Sequence, residues 1–383
     1  MSTPLARVIV VSFNGAHLLP RCLDALLAQT DLPETVELVL VDNASADGTA
    51  ALLAERYPQV RVIRATTNTG FAGGVALGLA DARAPVTVLV NNDAVAEPGF
   101  LAALLPPFAD LGVGAVCAKV LLAADAALAA DAAPAQNPLI NSVGAEVTAD
   151  GYGRDRGWLE PDDGRYDAPA EVFVGSGCAL ALRTEAVRAV GGIDPAYFLY
   201  YEDTDLCWRL RLGGWSIVTA ASAVVRHEHS ASVRAGSPLH AYHSERNRLI
   251  TLVKDASAGL ALRAALRHPL TTASLTVRET LAAARERRAP DYQQAWIRMR
   301  AWAGFARLLP HALRERRATA ARAVVGRRAL ERRWLVPVPP PAPPPATPRP
   351  PPPPATPPSP PAIRSWTRRD AIRRNSRPPG SLT

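Results

Sequence analysis

Continuous apolar runs alternating with helix-spaced stretches fill the first 120 residues and constrain the fold more than any other feature. The runs are Arg7 to Phe13, Val36 to Val41, Val60 to Ile63, Val86 to Val90 and Val113 to Val116. Between them lie Ala16 to Gln29, Ala50 to Arg56, Gly74 to Ala82 and Phe100 to Phe108, the first with Leu18, Leu19, Cys22 and Leu26 on one helical face. A sheet with one wet face alternates polar and apolar residues, whereas strands buried on both sides read as unbroken apolar runs. The pattern therefore predicts an α/β fold: a mostly parallel, Rossmann-like sheet with helices on both faces.

Charge divides the chain. Residues 1–260 hold 19 Lys or Arg against 29 acids, residues 261–334 hold 17 Arg against 5, and residues 335–383 hold 7 Arg against one Asp. We expect a domain over 1–255, a basic helical region over 256–335 broken near Pro269, Pro290 and Pro310, and a Pro-rich disordered tail over 336–383. Seventeen prolines in residues 337–361 permit neither ladder nor helix and favour polyproline II. Residues 121–170, rich in Ala, Asp, Gly and Pro, read as an irregular insertion. The four cysteines are widely spaced, which excludes a CxxC metal knuckle and points to reduced, buried thiols. No secretory leader opens the sequence and no uncharged apolar stretch reaches the roughly 18 residues of a membrane span. A cytoplasmic protein is expected, with the basic helices, Trp296, Trp302 and Phe305 in peripheral contact with the anionic inner face of the membrane.

Open parallel sheets bind ligands beyond the carboxyl ends of their strands. Here those ends are polar: Ser12 and Asn14, then Asp42, Asn43 and Ser45, then Asn68 to Gly74, then Asn91, Asn92 and Asp93. Any one of them could be a helix N-cap; four around one edge favour a site. No GxGxxG follows the first strand and no GxxxxGK[ST] occurs, which argues against NAD binding and ATP hydrolysis. The glycines at 70, 73 and 74 admit close backbone approach, and the helix they open favours an anion. Asp93 is a hard-oxygen ligand suited to Mg²⁺ or Mn²⁺ bridging a diphosphate.

The stretches Val41-Asp42-Asn43-Ala44-Ser45-Ala46-Asp47-Gly48-Thr49, Asn68-Thr69-Gly70-Phe71-Ala72-Gly73-Gly74 and Asn91-Asn92-Asp93-Ala94 resemble the successive signatures of family 2 glycosyltransferases. The resemblance, to the bacterial rhamnosyltransferase subgroup in particular, continues through Gly175-Ser176-Gly177-Cys178, Gly191 to Pro195 and Tyr197 to Leu210, and covers residues 5–255. It implies a GT-A fold and inverting transfer of a sugar from a nucleoside diphosphate donor, rhamnose from dTDP-rhamnose by subgroup or another hexose from a UDP-sugar, to a hydroxyl of a cell-surface glycan or lipid-linked acceptor. Asp203 is then the general base, with Glu202 as runner-up. Ser12, Asn14, Asp42, Asn43, Asn68, Gly70, Phe71, Gly73, Asn91 and Asn92 face the donor, and Gly177, Trp208 and Arg209 the acceptor. Arg246 and Arg248 bind phosphate, and Asp93 and His227 hold the metal, His227 being favoured over His229. Without the family, Glu202, Asp203 and Asp205 read as three crowded carboxylates at a helix start, of which at least one has a raised pKa. The rival readings are a nucleic-acid-binding protein or a silent interaction module using the basic helices and the polyproline; no nucleic-acid partner is expected.

Overall fold

The computed structural model describes residues 4–29, 35–123, 137–228 and 237–338. In chain order the elements are β1 (Ala6–Ser12), α1 (Leu19–Leu27), β2 (Val36–Asp42), α2 (Thr49–Arg56), β3 (Arg61–Arg64), α3 (Gly70–Leu79), β4 (Val86–Asn91), β5 (Ala94–Ala96), α4 (Phe100–Leu104) and β6 (Val113–Leu122). There follow β7 (Ile140–Ser142), β8 (Ala145–Thr148), β9 (Gly153–Asp155), β10 (Ala179–Arg183), α5 (Thr184–Ala189), α6 (Glu202–Leu212) and β11 (Ser216–His227). The chain then becomes helical through α7 (Pro238–Asp255), α8 (Ala258–Glu286), α9 (Gln293–Arg322) and α10 (Arg327–Trp334), ending on β12 (Leu335–Val336).

The main sheet runs β3-β2-β1-β4-β10-β6-β11-β5, with β7 on β6. Its first four strands are parallel, as the apolar runs predict. Beyond β4 the sheet is mixed: β10 is antiparallel to both β4 and β6, and β11 returns parallel to β6. Burial on both faces hides this change of direction from the sequence. In β1, Ile9 and Val11 enter one core, beneath α3, while Val8 and Val10 enter the other, against α1. Helix α3 lies so close that a Cβ on Gly74 would come within 2.5 Å of Val11.

The stretch read as an irregular insertion is more ordered than expected. It carries β7, β8 and β9, and β8 pairs with both β9 and the C-terminal β12. The breaks expected at Pro269 and Pro310 are absent, since α8 and α9 pass through both. Each proline is exposed while the flanking turns bury His268 and Thr272, or Phe305 and Ala312. That packing outweighs the roughly 3 kcal/mol cost of an interior proline. Of the three expected breaks, the one near Pro290 is present. Trp302 and Phe305, expected at a membrane, pack into the core instead, leaving Trp296 exposed. All four cysteines are free and buried. No described helix is long and apolar enough to cross a membrane. From residue 339 onward the Pro-rich tail lies outside the described residues.

Candidate active site

The ends of β1, β2 and β4 and the first turns of α3 and α6 meet around one crevice. Much of the polar signature there is spent on holding loops. Asn14, in the left-handed region at φ 51°, receives the Ala46 N–H on its side chain and donates its own N–H to Ser45. Asp42 is buried and accepts the Ser45 N–H. Asn43 is fully used: its amide nitrogen donates to Asn68 and to the Gly70 carbonyl, and its oxygen accepts the N–H and hydroxyl of Thr69. Asn68 in turn accepts the Gly70 N–H. Asn92 donates to the Ser12 hydroxyl, both side chains being buried. Asn43 and Asn68 therefore shape the loop that opens α3.

Gly70 sits at φ +72°, and a Cβ there would fall 2.1 Å from the Phe198 carbonyl oxygen. The same oxygen accepts the Ala72 N–H, which joins the start of α3 to the loop before α6. Gly70→Ala should therefore cost about 1–3 kcal/mol from backbone strain alone and weaken donor binding. Thermal denaturation and nucleotide titration of that variant check this; unchanged stability would show that the loop yields.

The loop before α6 is strained at three aromatic residues, Phe198, Tyr200 and Tyr201, with φ of 65°, 67° and 70°. Such conformations persist only when their surroundings over-determine them. Asn247 of α7 supplies this: its buried amide donates to the carbonyls of Tyr197, Leu199 and Tyr200. Arg246, expected to bind phosphate, is committed to the same loop, donating to the Ala196 and Tyr197 carbonyls and to Asn247.

The three carboxylates that follow diverge. Asp205 turns into the interior, where Arg209, Lys254 and the Tyr197 hydroxyl hold it. Burial opposes its ionisation, but Arg209 and Lys254 outweigh it and lower its pKa. Arg209 is thereby corrected from an acceptor contact to a buried counter-ion, and Trp208, packed edge-on against Phe173 at 5.1 Å, to core. Glu202 is buried, with one carboxylate oxygen lacking a hydrogen bond; burial and the adjacent Asp203 raise its pKa well above the usual range. Asp203 is only partly buried. It accepts the N–H groups of Gly177 and Thr204, and burial raises its pKa against those bonds. A Cβ on Gly177 would touch both Asp203 and the Phe71 ring, so donor loop, Gly177 and carboxylate converge.

On the other side of the crevice, pairing of β5 with β11 sets His227 beside Asp93. His227 Nε2 lies 3.1 Å from Asp93 Oδ1, a buried oxygen with no well-directed hydrogen bond from the described residues. Its other nitrogen meets Asn141 Oδ1 at 2.7 Å. His229 lies outside the described residues. No group of three His, Cys, Asp or Glu among the described residues is arranged to hold a metal ion. The buried Asp93 carboxylate and the imidazole beside it are nonetheless a donor set that fits a divalent cation. The two sides share neighbours. Burial, with Glu202 and Asp93, pushes the Tyr200 hydroxyl up to about 12. Burial raises the Asp155 carboxyl to about 6, with Asp203 adding to and His227 opposing the shift. Asp155 escaped the sequence reading because it sits on a three-residue strand inside a low-complexity stretch.

A sheet edge carrying a lone carboxylate–imidazole pair on one side and a raised-pKa acid on the other is the kind of site a nucleotide-sugar transferase needs. The model of Glycosyl transferase family 2 matches residues 7–128. The N-acetylglucosaminyl-diphospho-decaprenol L-rhamnosyltransferase of Mycobacterium tuberculosis (strain CDC 1551 / Oshkosh) is 30% identical over 305 residues, covering 75% of this chain and 97% of that protein. The O-antigen chain rhamnosyltransferase RfbN of Salmonella typhimurium (strain LT2) is 25% identical over 232 residues, covering 59% and 67%. The crystal structure of GalNAc-T7 with UDP, GalNAc and Mn²⁺ superposes with a TM-score of 0.51 at 15% identity, over 66% of this chain and 48% of that one, and shares the GT-A fold. This chain belongs to glycosyltransferase family 2. It is a nucleotide-sugar-dependent, sugar-transferring enzyme of the rhamnosyltransferase-like kind, and the nucleic-acid and interaction-module readings are not favoured.

Proposed function

We propose that the enzyme transfers a sugar, with inversion, from a nucleoside diphosphate donor to a hydroxyl of a lipid-linked or cell-surface glycan, and that L-rhamnose from dTDP-rhamnose is the first donor to test. The observation that carries this reading is the position of Asp203, the partly exposed carboxylate of its cluster, against Gly177 and the Phe71 loop. A raised pKa suits a base that must take the acceptor proton as its oxygen attacks the anomeric carbon. One base and one departing diphosphate need no second nucleophile, hence inversion.

Asp93 and His227 are the residues to hold a divalent cation, Mg²⁺ or Mn²⁺. When bound, it neutralises charge on the departing diphosphate. Asp93→Ala should weaken Mn²⁺-dependent nucleotide binding by about tenfold or more while leaving the fold intact. Calorimetric titration of UDP and dTDP with and without Mn²⁺ measures this, and equal affinities for variant and parent would remove Asp93 as ligand. A donor panel read by nucleoside diphosphate release, with lipid-linked N-acetylglucosaminyl diphosphate as acceptor, tests the whole reading; no release from any donor would refute it. We also propose that the enzyme meets its acceptor from the inner membrane surface.

A further inference from the structure

Outside the donor crevice, α7, the first half of α8, α9 and the β8–β9 turn line a cavity of about 250 Å³. Four arginines line it: Arg248, Arg263, Arg267 and Arg298. Two carboxylates oppose them. Asp150 lies 3.9 Å from Arg267, and Glu245 is shared by Arg248 and Arg298. The balance remains positive.

Arg248 supplies the more telling observation. It is 4% exposed; its terminal nitrogens donate to the Asp150 carbonyl and to Glu245, and its plane lies over the Tyr152 ring at 4.1 Å. Its Nε is buried with no hydrogen-bond partner. A buried guanidinium N–H without an acceptor is costly, and the side chain that carries it lines the cavity. The volume falls below the roughly 300 Å³ at which pockets for whole small-molecule ligands begin, so a head group fits better than a nucleotide sugar.

The helix that brings Arg263 and Arg267 to the cavity also carries an unpartnered apolar row. Leu262, Leu266 and Leu270 are 60%, 59% and 70% exposed at i, i+4 spacing, and the row resumes at Val277 and Leu281. Each of the first two leucines directly precedes one of the arginines. Anion-binding cavity and apolar row share one helix, which matches an amphiphile with a phosphate head and a hydrocarbon chain. The site also abuts the catalytic helix. Tyr152 lines the cavity, and the Tyr201 hydroxyl contacts both its neighbours, accepting the Gly153 N–H at 3.1 Å and donating to the Gly151 carbonyl. Tyr201 immediately precedes Glu202 and Asp203.

We propose that this cavity binds the diphosphate of a prenyl-diphosphate-linked acceptor, with the prenyl chain laid along the Leu262–Leu270 row and the attached sugar directed towards Asp203. The inference rests on the acceptor reading above and assigns it a location.

The test uses the full chain in EDTA, so that no metal is present to hold a diphosphate in the donor crevice. Binding of geranylgeranyl diphosphate, geranylgeraniol and inorganic pyrophosphate is followed by tryptophan fluorescence. The lipid diphosphate should bind about tenfold or more tightly than either of the other two. Arg263→Ala with Arg267→Ala should weaken it by about tenfold, and Leu262→Asn with Leu266→Asn and Leu270→Asn should reduce it to the level of pyrophosphate. Equal affinity for geranylgeraniol and its diphosphate, or undiminished binding by the double arginine variant, would overturn the site. These changes lie on an exposed helix face, so donor hydrolysis should be unchanged in both variants. Absence of donor hydrolysis from the parent enzyme would instead count against the function proposed above, which keeps the two failures apart.

Discussion

Asp203→Asn should lower transfer by about 10²- to 10⁴-fold while leaving nucleotide affinity and melting temperature near those of the parent. Gly177 and Thr204 donate to different oxygens of the carboxylate, so the amide keeps one of these bonds and loses the other together with the basicity. Near-normal turnover would remove Asp203 as base. Glu202→Gln is the companion measurement: a larger loss there than at Asp203 would exchange the two roles. The parent's pH profile carries the same information. Burial raises the Asp203 pKa, and a base works only when deprotonated, so activity should rise with pH through a limb displaced above the ordinary carboxylate range. In Asp203→Asn that limb should vanish.

The largest effect on stability should come from Asp205→Ala. The change leaves the buried Arg209 and Lys254 without their shared carboxylate, although Lys254 retains Asp194 and Arg209 the Val190 carbonyl. Breaking such a pair from one side typically costs about 3–5 kcal/mol. Urea unfolding at neutral pH measures it; a loss within experimental scatter would show that the network is dispensable. The sign with pH follows from the lowered folded-state pKa. Stabilisation from Asp205 is fully present above its unfolded-state pKa of about 3.9 and is lost as pH falls through the depressed folded value. The gap between parent and variant should therefore narrow in acid.

The parallel half of the sheet and the polar edge beyond its strands were legible in the sequence because the physics there is local. Unbroken apolar runs required two-sided burial, and the polar residue after each run had to lie at the edge the strands share. What stayed hidden depended on partners far along the chain. Nothing near Asn43 indicates that all its side-chain hydrogen bonds go to residues 68 to 70, and nothing near Asp205 indicates that Lys254 draws it inward while Asp203 stays at the crevice. Arg246 and Arg209 carry the charge a phosphate or acceptor contact needs, yet buried carbonyls and a buried carboxylate claim them. Composition misled in two places: the Ala- and Asp-rich stretch conceals Asp155, and helix-breaking prolines on exposed faces leave α8 and α9 intact.

Asn247 reaches back 47 residues to pin the Tyr200 carbonyl. A ribosome releases β1 to β4 well before it releases that asparagine. The strained turn ahead of Glu202 and Asp203 therefore gains its support only once α7 has emerged, and a chain cut before Asn247 would carry both carboxylates on an unbraced loop.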